Sequence, residues 1–342
     1  MKKYLYIALA AAALTSCSSD DTLDVVEKEA IAFSEGFINN STRAIDLSKT
    51  NSNLKEFNVW GTVKGSTNST VAIFANDKVE GEAVGTGNIW SCTTKTQYWI
   101  AGATYNFAAL VNADGNNVTL TNGLPASVKF TYDQNAEKDL LYAKSEENIP
   151  GQASGNEPVA FTFDHMLSKV GFKVNNTNSG NTGYSYKVKD IKITTALSKE
   201  ETVTITQNNG DNVYTWSENA SSKVENLAFG SAVAQTETSA TAEAISIGDG
   251  ATAYSLYEHL IIPQTCSTLA VSFTLETYVT DADGKVQHVN TETINKSTAA
   301  EVTFAPETYY LVNIGLSVGN VINFAVTTVN GWGDANVGIT VQ

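Results

Sequence analysis

One residue of this sequence, Arg43, stands out as a place where a defined chemical step can occur. The 342 residues include 21 basic side chains, and every one except Arg43 is a lysine. The polar residues 39–42 precede it, a composition typical of the accessible segments that proteases cut. An enzyme that cleaves after arginine would have one place to act, the bond between Arg43 and Ala44. The alternative is an ordinary exposed arginine.

Other reactive side chains do not form a recognisable catalytic arrangement. The motifs HExxH, GxSxG and GxxxxGK are missing from the sequence. His165 follows Asp164 within an apolar stretch, which favours a packed, hydrogen-bonded histidine over a catalytic base. Asp281 and Asp283 lack the later ligands of a calcium loop, so we interpret them as part of a hairpin turn. We predict no catalytic residue, metal or cofactor, although 36 acidic residues leave a carboxylate pair formally open.

The charge balance and the cysteines exclude further classes. The net charge is −15 and no basic stripe is present, so nucleic acid is not expected as a partner. Cys92 and Cys266 are too far apart in the sequence for a disulfide framework, and we expect free, buried thiols.

The N-terminal residues read as a targeting segment. Two lysines precede an apolar stretch over residues 4–14, which is too short to span a bilayer. Residues 14–17 resemble the lipobox of bacterial lipoproteins, which implies a signal peptide at 1–16 and lipidation of Cys17. The serines and aspartates at 18–21 resemble a surface-export signal of Bacteroidales-type lipoproteins. An ordinary signal peptide with a chance cysteine is the alternative.

Most of the remaining chain alternates in the manner of β-strands. Short apolar runs separated by glycine and asparagine predict an all-β fold of β-sandwich type. Asn209-Gly210 and Asp283-Gly284 supply the residues that hairpin turns require. In the run 186–193 the apolar parity changes after Val188, which predicts a bulge or register change.

Composition suggests where the chain divides. Residues 146–158 are rich in proline, glycine and polar residues, so we predict a linker between a β domain at 44–150 and another at 158–342. Trp60, Trp99 and Trp332 are expected in the core, whereas Trp90 and Trp216 lie beside turn residues and are expected to be more exposed.

Two strands at the ends of the chain have one bulky face each. In residues 30–38 that face carries Ile31, Phe33 and Phe37, and in the C-terminal tail it carries the alternate residues Val337, Ile339 and Val341. The tail is either a detachable strand that pairs with a neighbouring molecule or the last strand of its own sandwich.

Several stretches together resemble the fimbrillin family, the type V pilins of Bacteroidales-type bacteria. In order along the chain, they are the lipobox, residues 31–33, 42–44, 139–143, 161–170 and 322–326, and Trp332. The resemblance implies two tandem transthyretin-like β-sandwich domains. It also implies that an arginine-specific, trypsin-like protease cuts after Arg43 and removes the propeptide 17–43 with its strand.

The same resemblance implies the function. The groove left by the strand would receive a strand of a neighbouring subunit, giving surface fimbriae that serve cell adhesion. The partners would be other fimbrial subunits, the protease and the outer membrane, with an adhesion ligand that the sequence does not identify. A stalk subunit is favoured over a tip subunit because both the cut and the tail are present. The alternative is a surface glycan-binding β-sandwich lipoprotein, which would keep its first strand and expose a tryptophan pair.

Overall fold

A computed structural model describes residues 28–34, 36–38, 54–66, 69–81, 89–133, 138–180, 182–218, 222–234, 242–318 and 322–329. Strands dominate these residues, which contain no α-helix and one 3-10 helix at Gly115–Asn117, so the all-β prediction is confirmed. Within them, no helix is long and apolar enough to cross a membrane. Several residues singled out above lie outside the described ranges: Cys17, Arg43, Ala44, Trp332, Val337, Ile339 and Val341.

Strands up to residue 165 form the N-terminal part of the fold. They are β1 (Phe33–Ser34), β2 (Phe37–Ile38), β3 (Glu56–Lys64), β4 (Thr70–Glu80), β5 (Ile89–Cys92), β6 (Thr104–Val111), β7 (Val118–Thr121), β8 (Leu124–Thr131), β9 (Leu141–Lys144), β10 (Ile149–Pro150) and β11 (Thr162–His165).

The strands that follow build the C-terminal part. They are β12 (Ser168–Asn176), β13 (Tyr184–Ile193), β14 (Leu197–Ser198), β15 (Glu200–Asn208), β16 (Asp211–Trp216), β17 (Lys223–Val224), β18 (Leu227–Gly230), β19 (Ala232–Val233), β20 (Thr252–Ser255), β21 (His259–Ile261), β22 (Gln264–Cys266), β23 (Ala270–Thr280), β24 (Val286–Ser297), β25 (Val302–Phe304), β26 (Tyr309–Leu316) and β27 (Asn323–Val329).

The largest sheet has its two ends joined by one short segment. Its strand order is β1-β5-β4-β3-β6-β9-β11-β2, with β10 paired to β6. Strands β1 and β2 are consecutive in the chain, yet β1 pairs antiparallel with β5 and β2 pairs parallel with β11. Residues 28–38 therefore lie between two sheet edges and pair with both.

Alternation along the strands of this sheet divides the apolar side chains between two cores. In β6, Tyr105, Phe107 and Ala109 enter a cluster formed by residues between 31 and 163, whereas Ala108 and Leu110 enter a larger cluster shared with the C-terminal part. Successive side chains of a strand point to opposite faces. The sheet is thus buried on both faces along β6.

A second sheet combines strands from both sides of residues 146–158. Its order is β16-β15-β8-β7, and β8 pairs antiparallel with β15 through partners such as Val128 and Val203. The segment 146–158 itself contributes β10, and β11 beyond it returns to pair with β9. The C-terminal part adds a sheet of order β19-β20-β12-β26-β27, in which β21 also pairs with β12, and a sheet of order β18-β13-β23-β24.

Local features predicted from the sequence occur where expected. Asn209 and Gly210 both have positive φ, at 54° and 95°, and join β15 to β16. In β13 the register shifts between Lys189 and Lys192. Asp190, inside that shift, has φ 55°, and the extra residue keeps Tyr186, Val188, Ile191 and Ile193 all buried.

Candidate functional site: the N-terminal strand and its groove

Residues 28–38 lie in a groove whose two walls supply backbone partners. On one side, the Ile31 amide donates to the Gln97 carbonyl at 2.8 Å and the Trp99 amide donates to the Glu29 carbonyl at 3.0 Å. On the other side, the Val159 amide donates to the Ala32 carbonyl at 2.9 Å, and the Val159 carbonyl accepts from the Ser34 amide at 2.9 Å. The segment therefore satisfies polar backbone groups on two edges that would otherwise be unpaired.

Phe33 is the central anchor of this segment. Its side chain is 0% exposed and its ring contacts four phenylalanines that line the groove. The ring centroids lie 5.7–6.1 Å from those of Phe57, Phe74 and Phe107, in edge-to-face geometry, and 6.0 Å from the stacked ring of Phe161. Aromatic pairs of these geometries stabilise beyond the area they bury. The groove is shaped around an aromatic ring.

The segment is also closely packed on both sides of Phe33. Ile31 is buried in the same apolar cluster. A Cβ atom added at Gly36 would lie 2.7 Å from Phe163 Cε2 and 2.8 Å from Leu54 Cδ2, so any larger residue there would force these side chains to move. Phe37 lies in β2 with its backbone opposite Thr162.

A polar contact fixes the N-terminal end of the segment. Glu29 Oε2 accepts hydrogen bonds from the Asn156 backbone amide at 3.0 Å and from Asn156 Nδ2 at 2.6 Å. These bonds favour the charged carboxylate and lower the pKa of Glu29 below its ordinary value of 4.5. Asn156 was missed by sequence reasoning because it lies in the stretch interpreted as linker, where an asparagine signals only a turn.

The tryptophans do not form an exposed platform in the described part of the chain. The expectation that Trp90 and Trp216 are more exposed is wrong, since they are 0% and 9% exposed. Trp90 pairs with Phe33 across β5 and β1, and its ring stacks on Phe57 at 5.7 Å. Trp216 Nε1 donates to the Met166 carbonyl at 2.9 Å. Trp60 and Trp99 are buried as expected.

Histidines and cysteines take structural positions. His165 is buried and its Nδ1 lies 2.5 Å from Asp139 Oδ2, which confirms the packed, hydrogen-bonded interpretation. Both described cysteines are free thiols, as predicted. Cys266 is buried, and burial raises its pKa, whereas Cys92 is only partly buried.

An extended segment fills this groove and pairs with both of its edges through main-chain hydrogen bonds, which is a recognised mode of peptide binding. The model of the fimbrillin-like family matches residues 42–332, so the chain belongs to that family. Residues 1–18, which include Cys17, match the lipid attachment site of prokaryotic membrane lipoproteins. The protein is therefore a surface lipoprotein held at the membrane through its N-terminal segment.

Solved structures similar to this chain include two with low sequence identity. One is a candidate cell adhesion protein from Bacteroides ovatus, 16% identical, covering 90% of this chain and 99% of that one with a TM-score of 0.47. Another is the fimbrial anchor protein Mfa2 from Porphyromonas gingivalis, 11% identical, covering 92% and 100% of the two chains with a TM-score of 0.34. Comparison with curated proteins gives no match.

Replacement of the anchoring ring should destabilise the folded chain. Because Phe33→Ala leaves a cavity among four rings, we expect the free energy of unfolding to fall by about 3–5 kcal/mol. Chemical denaturation monitored by tryptophan fluorescence measures this loss. Ile89→Ala is the control, since Ile89 sits opposite Ser34 in the same strand pair but is 67% exposed. Equal effects of the two substitutions would contradict the anchoring role.

The Glu29 contact should make part of the stability depend on pH. A carboxyl with a lowered folded pKa stabilises the fold above its unfolded pKa, and this contribution is lost as pH falls through the folded value. We expect Glu29→Gln to be less stable than wild type at neutral pH, with the difference closing below about pH 4.5. Denaturation at a series of pH values tests this, with exposed Glu301→Gln as control. A difference that is constant with pH would refute the charge contribution.

Proposed function

We propose that this protein is a subunit of surface fimbriae that polymerises by strand exchange after cleavage between Arg43 and Ala44, and so serves cell adhesion. The observation that supports this most directly is the segment 28–38, which pairs with two sheet edges and fills the core with Phe33. Membership of the fimbrillin-like family agrees with it. Removal of the segment would leave both edges unpaired and the aromatic pocket open.

The proposed cut would break the covalent connection between the strand and the rest of the subunit, so that another strand could replace it. Arg43 lies five residues after Ile38, the last residue of the segment, and it is the only arginine in the chain. Cleavage there by an arginine-specific protease leaves the segment held by its side chains and hydrogen bonds alone. A strand from another subunit can then compete for the same backbone partners.

We propose that Cys17 is the lipidated residue and anchors the precursor in the outer membrane before assembly. Two tandem transthyretin-like sandwiches, at 44–150 and 158–342, would form the working subunit. The tail that carries Val337, Ile339 and Val341 would be the donor strand, with about 1.5–3 kcal/mol from each buried side chain.

Arg43→Ala should block processing. Cells that make this variant are expected to retain an unprocessed lipoprotein that does not join fibres, because the groove stays occupied by the covalently attached strand. Immunoblots of boiled and unboiled surface fractions measure both the mass shift and the SDS-resistant ladder. Lys49→Ala is the matched control, a basic residue in the same range that an arginine-specific enzyme ignores. Ladders of undiminished length from Arg43→Ala would contradict the proposal.

Deletion of residues 333–342 should separate a stalk from a tip subunit. A stalk subunit that donates its tail loses onward polymerisation, whereas a tip subunit has no neighbour to donate to and stays functional. Processing at Arg43 should be unchanged in both cases, since the deleted residues follow β27 at the far end of the chain. Fibre length in electron micrographs distinguishes the outcomes, and fibres of normal length that carry the deleted subunit along their shaft would exclude the tail as donor.

A further inference from the structure

We propose that the emptied groove selects a strand from a different subunit and rejects the tail of a second copy of this chain. This inference rests on the proposed strand exchange and adds the chemistry of the partner. The partner segment carries a carboxylate, a branched aliphatic residue and an aromatic residue at alternate positions, followed three residues later by glycine. Four contacts of the segment 28–38 define this pattern.

The aromatic position gives the largest discrimination. Four phenylalanine rings surround Phe33 with their centroids 5.7–6.1 Å from its own, and the Phe33 side chain is fully buried. A branched aliphatic side chain at that position would leave part of the pocket empty, and close-packed interiors do not collapse fully around such a void. The pocket therefore favours an aromatic ring over valine or isoleucine.

The glycine position excludes side chains. At Gly36 the nearest atoms to an added Cβ belong to Phe163 and Leu54, both below 3 Å, and Phe163 is itself buried and packed against Phe57 and Phe161. The Phe163 ring cannot move away without disturbing the aromatic cluster. A bulky residue three positions after the aromatic ring is therefore rejected.

The carboxylate sets the register. Glu29 lies four residues before Phe33, and its Oε2 atom accepts two hydrogen bonds from Asn156. A charged acceptor strengthens such bonds. A strand shifted by two residues would keep its inward face but lose this contact. A strand without the carboxylate would lose both bonds, and Asn156 Nδ2 would keep only its bond to the Gln152 carbonyl at 3.0 Å.

The chain's own C-terminal tail does not match these positions in any of the three registers that place one of its branched residues in the aromatic pocket. With Val337 in that pocket, Ala335 takes the place of Ile31 and Thr340 takes the glycine position. With Val337 in the place of Ile31, Ile339 takes the aromatic position and Gln342 takes the glycine position. With Ile339 in the place of Ile31, Val341 takes the aromatic position and Val337 replaces the carboxylate.

Several other segments match in part. The fullest match is Glu225, Leu227 and Phe229, but Ala232 would take the glycine position and Leu227–Gly230 is β18, already paired with β13. Ile322 and Phe324 have the spacing of Ile31 and Phe33, but Thr327 would take the glycine position. This segment is also committed elsewhere, because β27 pairs with β26 along its whole length, from Asn323 opposite Gly315 to Val329 opposite Tyr309. The structure therefore points to a partner subunit of another sequence.

Peptide competition on the full chain tests the selectivity. The exported protein is cut with an arginine-specific protease, and release of the bound N-terminal fragment by added peptides is followed by mass spectrometry. The probes are a peptide of residues 28–38, its Phe33→Ala, Gly36→Ala and Glu29→Gln versions, and a peptide of residues 333–342. Ala30→Ser in the first peptide is the matched control, because Ala30 is exposed.

We expect the 28–38 peptide and its Ala30→Ser control to displace the fragment equally. Phe33→Ala should require roughly a hundredfold higher concentration or more, and the 333–342 peptide should not compete in the range where the parent is half effective. Competition by the 333–342 peptide within tenfold of the parent would overturn the inference.

Failure of every peptide, including the parent, contradicts the strand release of the proposed function instead. The selectivity of the groove is then tested in the uncut chain, by measuring the melting temperatures of variants that carry the same substitutions. Lower melting temperatures for Phe33→Ala and Gly36→Ala than for Ala30→Ser support the selective groove, and unchanged values for both overturn it.

Discussion

The N-terminal part of this protein depends on one constraint: within the described residues, two edges of a sheet are paired by the same short segment of chain. A β edge presents amides and carbonyls that require partners, and a buried edge without them is costly. Here β5 with the neighbouring residues 97–99 forms one edge and residues 156–163 form the other. The segment 28–38 meets both demands at once, and Phe33 closes the core beneath it. The fold is therefore complete only while a strand of suitable sequence occupies the groove.

This dependence explains why exchange by a second strand is physically reasonable. Main-chain hydrogen bonds are nearly independent of sequence, so any extended segment can supply them, and the discrimination comes from side chains that fill pockets. The groove is most closely packed at Phe33, whose ring lies against four others, and at Gly36, where an added Cβ would lie within 3 Å of Phe163 and Leu54. In the proposed exchange, the contacts that hold the N-terminal segment would also select the strand that replaces it. A fibre assembled in this way would gain its order of subunits from packing.

Sequence reasoning succeeded where the signal was local. The positive-φ turn at Asn209-Gly210 follows from residue types that accept such backbone angles, and the parity change before Ile191 gave the position of the bulge at Asp190. It failed for Trp90, whose glycine- and asparagine-rich surroundings suggest a surface turn. The ring is buried because distant residues, Phe33 and Phe57, come to lie against it. Flanking composition reports the local backbone and carries no information about which remote strand will cover a side chain.

By itself, the sequence determined the all-β class, the lipoprotein anchor and an apolar extended segment at residues 30–38, because periodicity and short motifs are properties of neighbouring residues. The single strand predicted there is divided into β1 and β2. Only the tertiary structure decided that this segment lies between two edges of one sheet, that four phenylalanines distant in the chain surround Phe33, and that Asn156 binds Glu29. Each of these contacts joins residues far apart in the chain. Such pairings depend on the register of whole strands, which is fixed when the sheet closes.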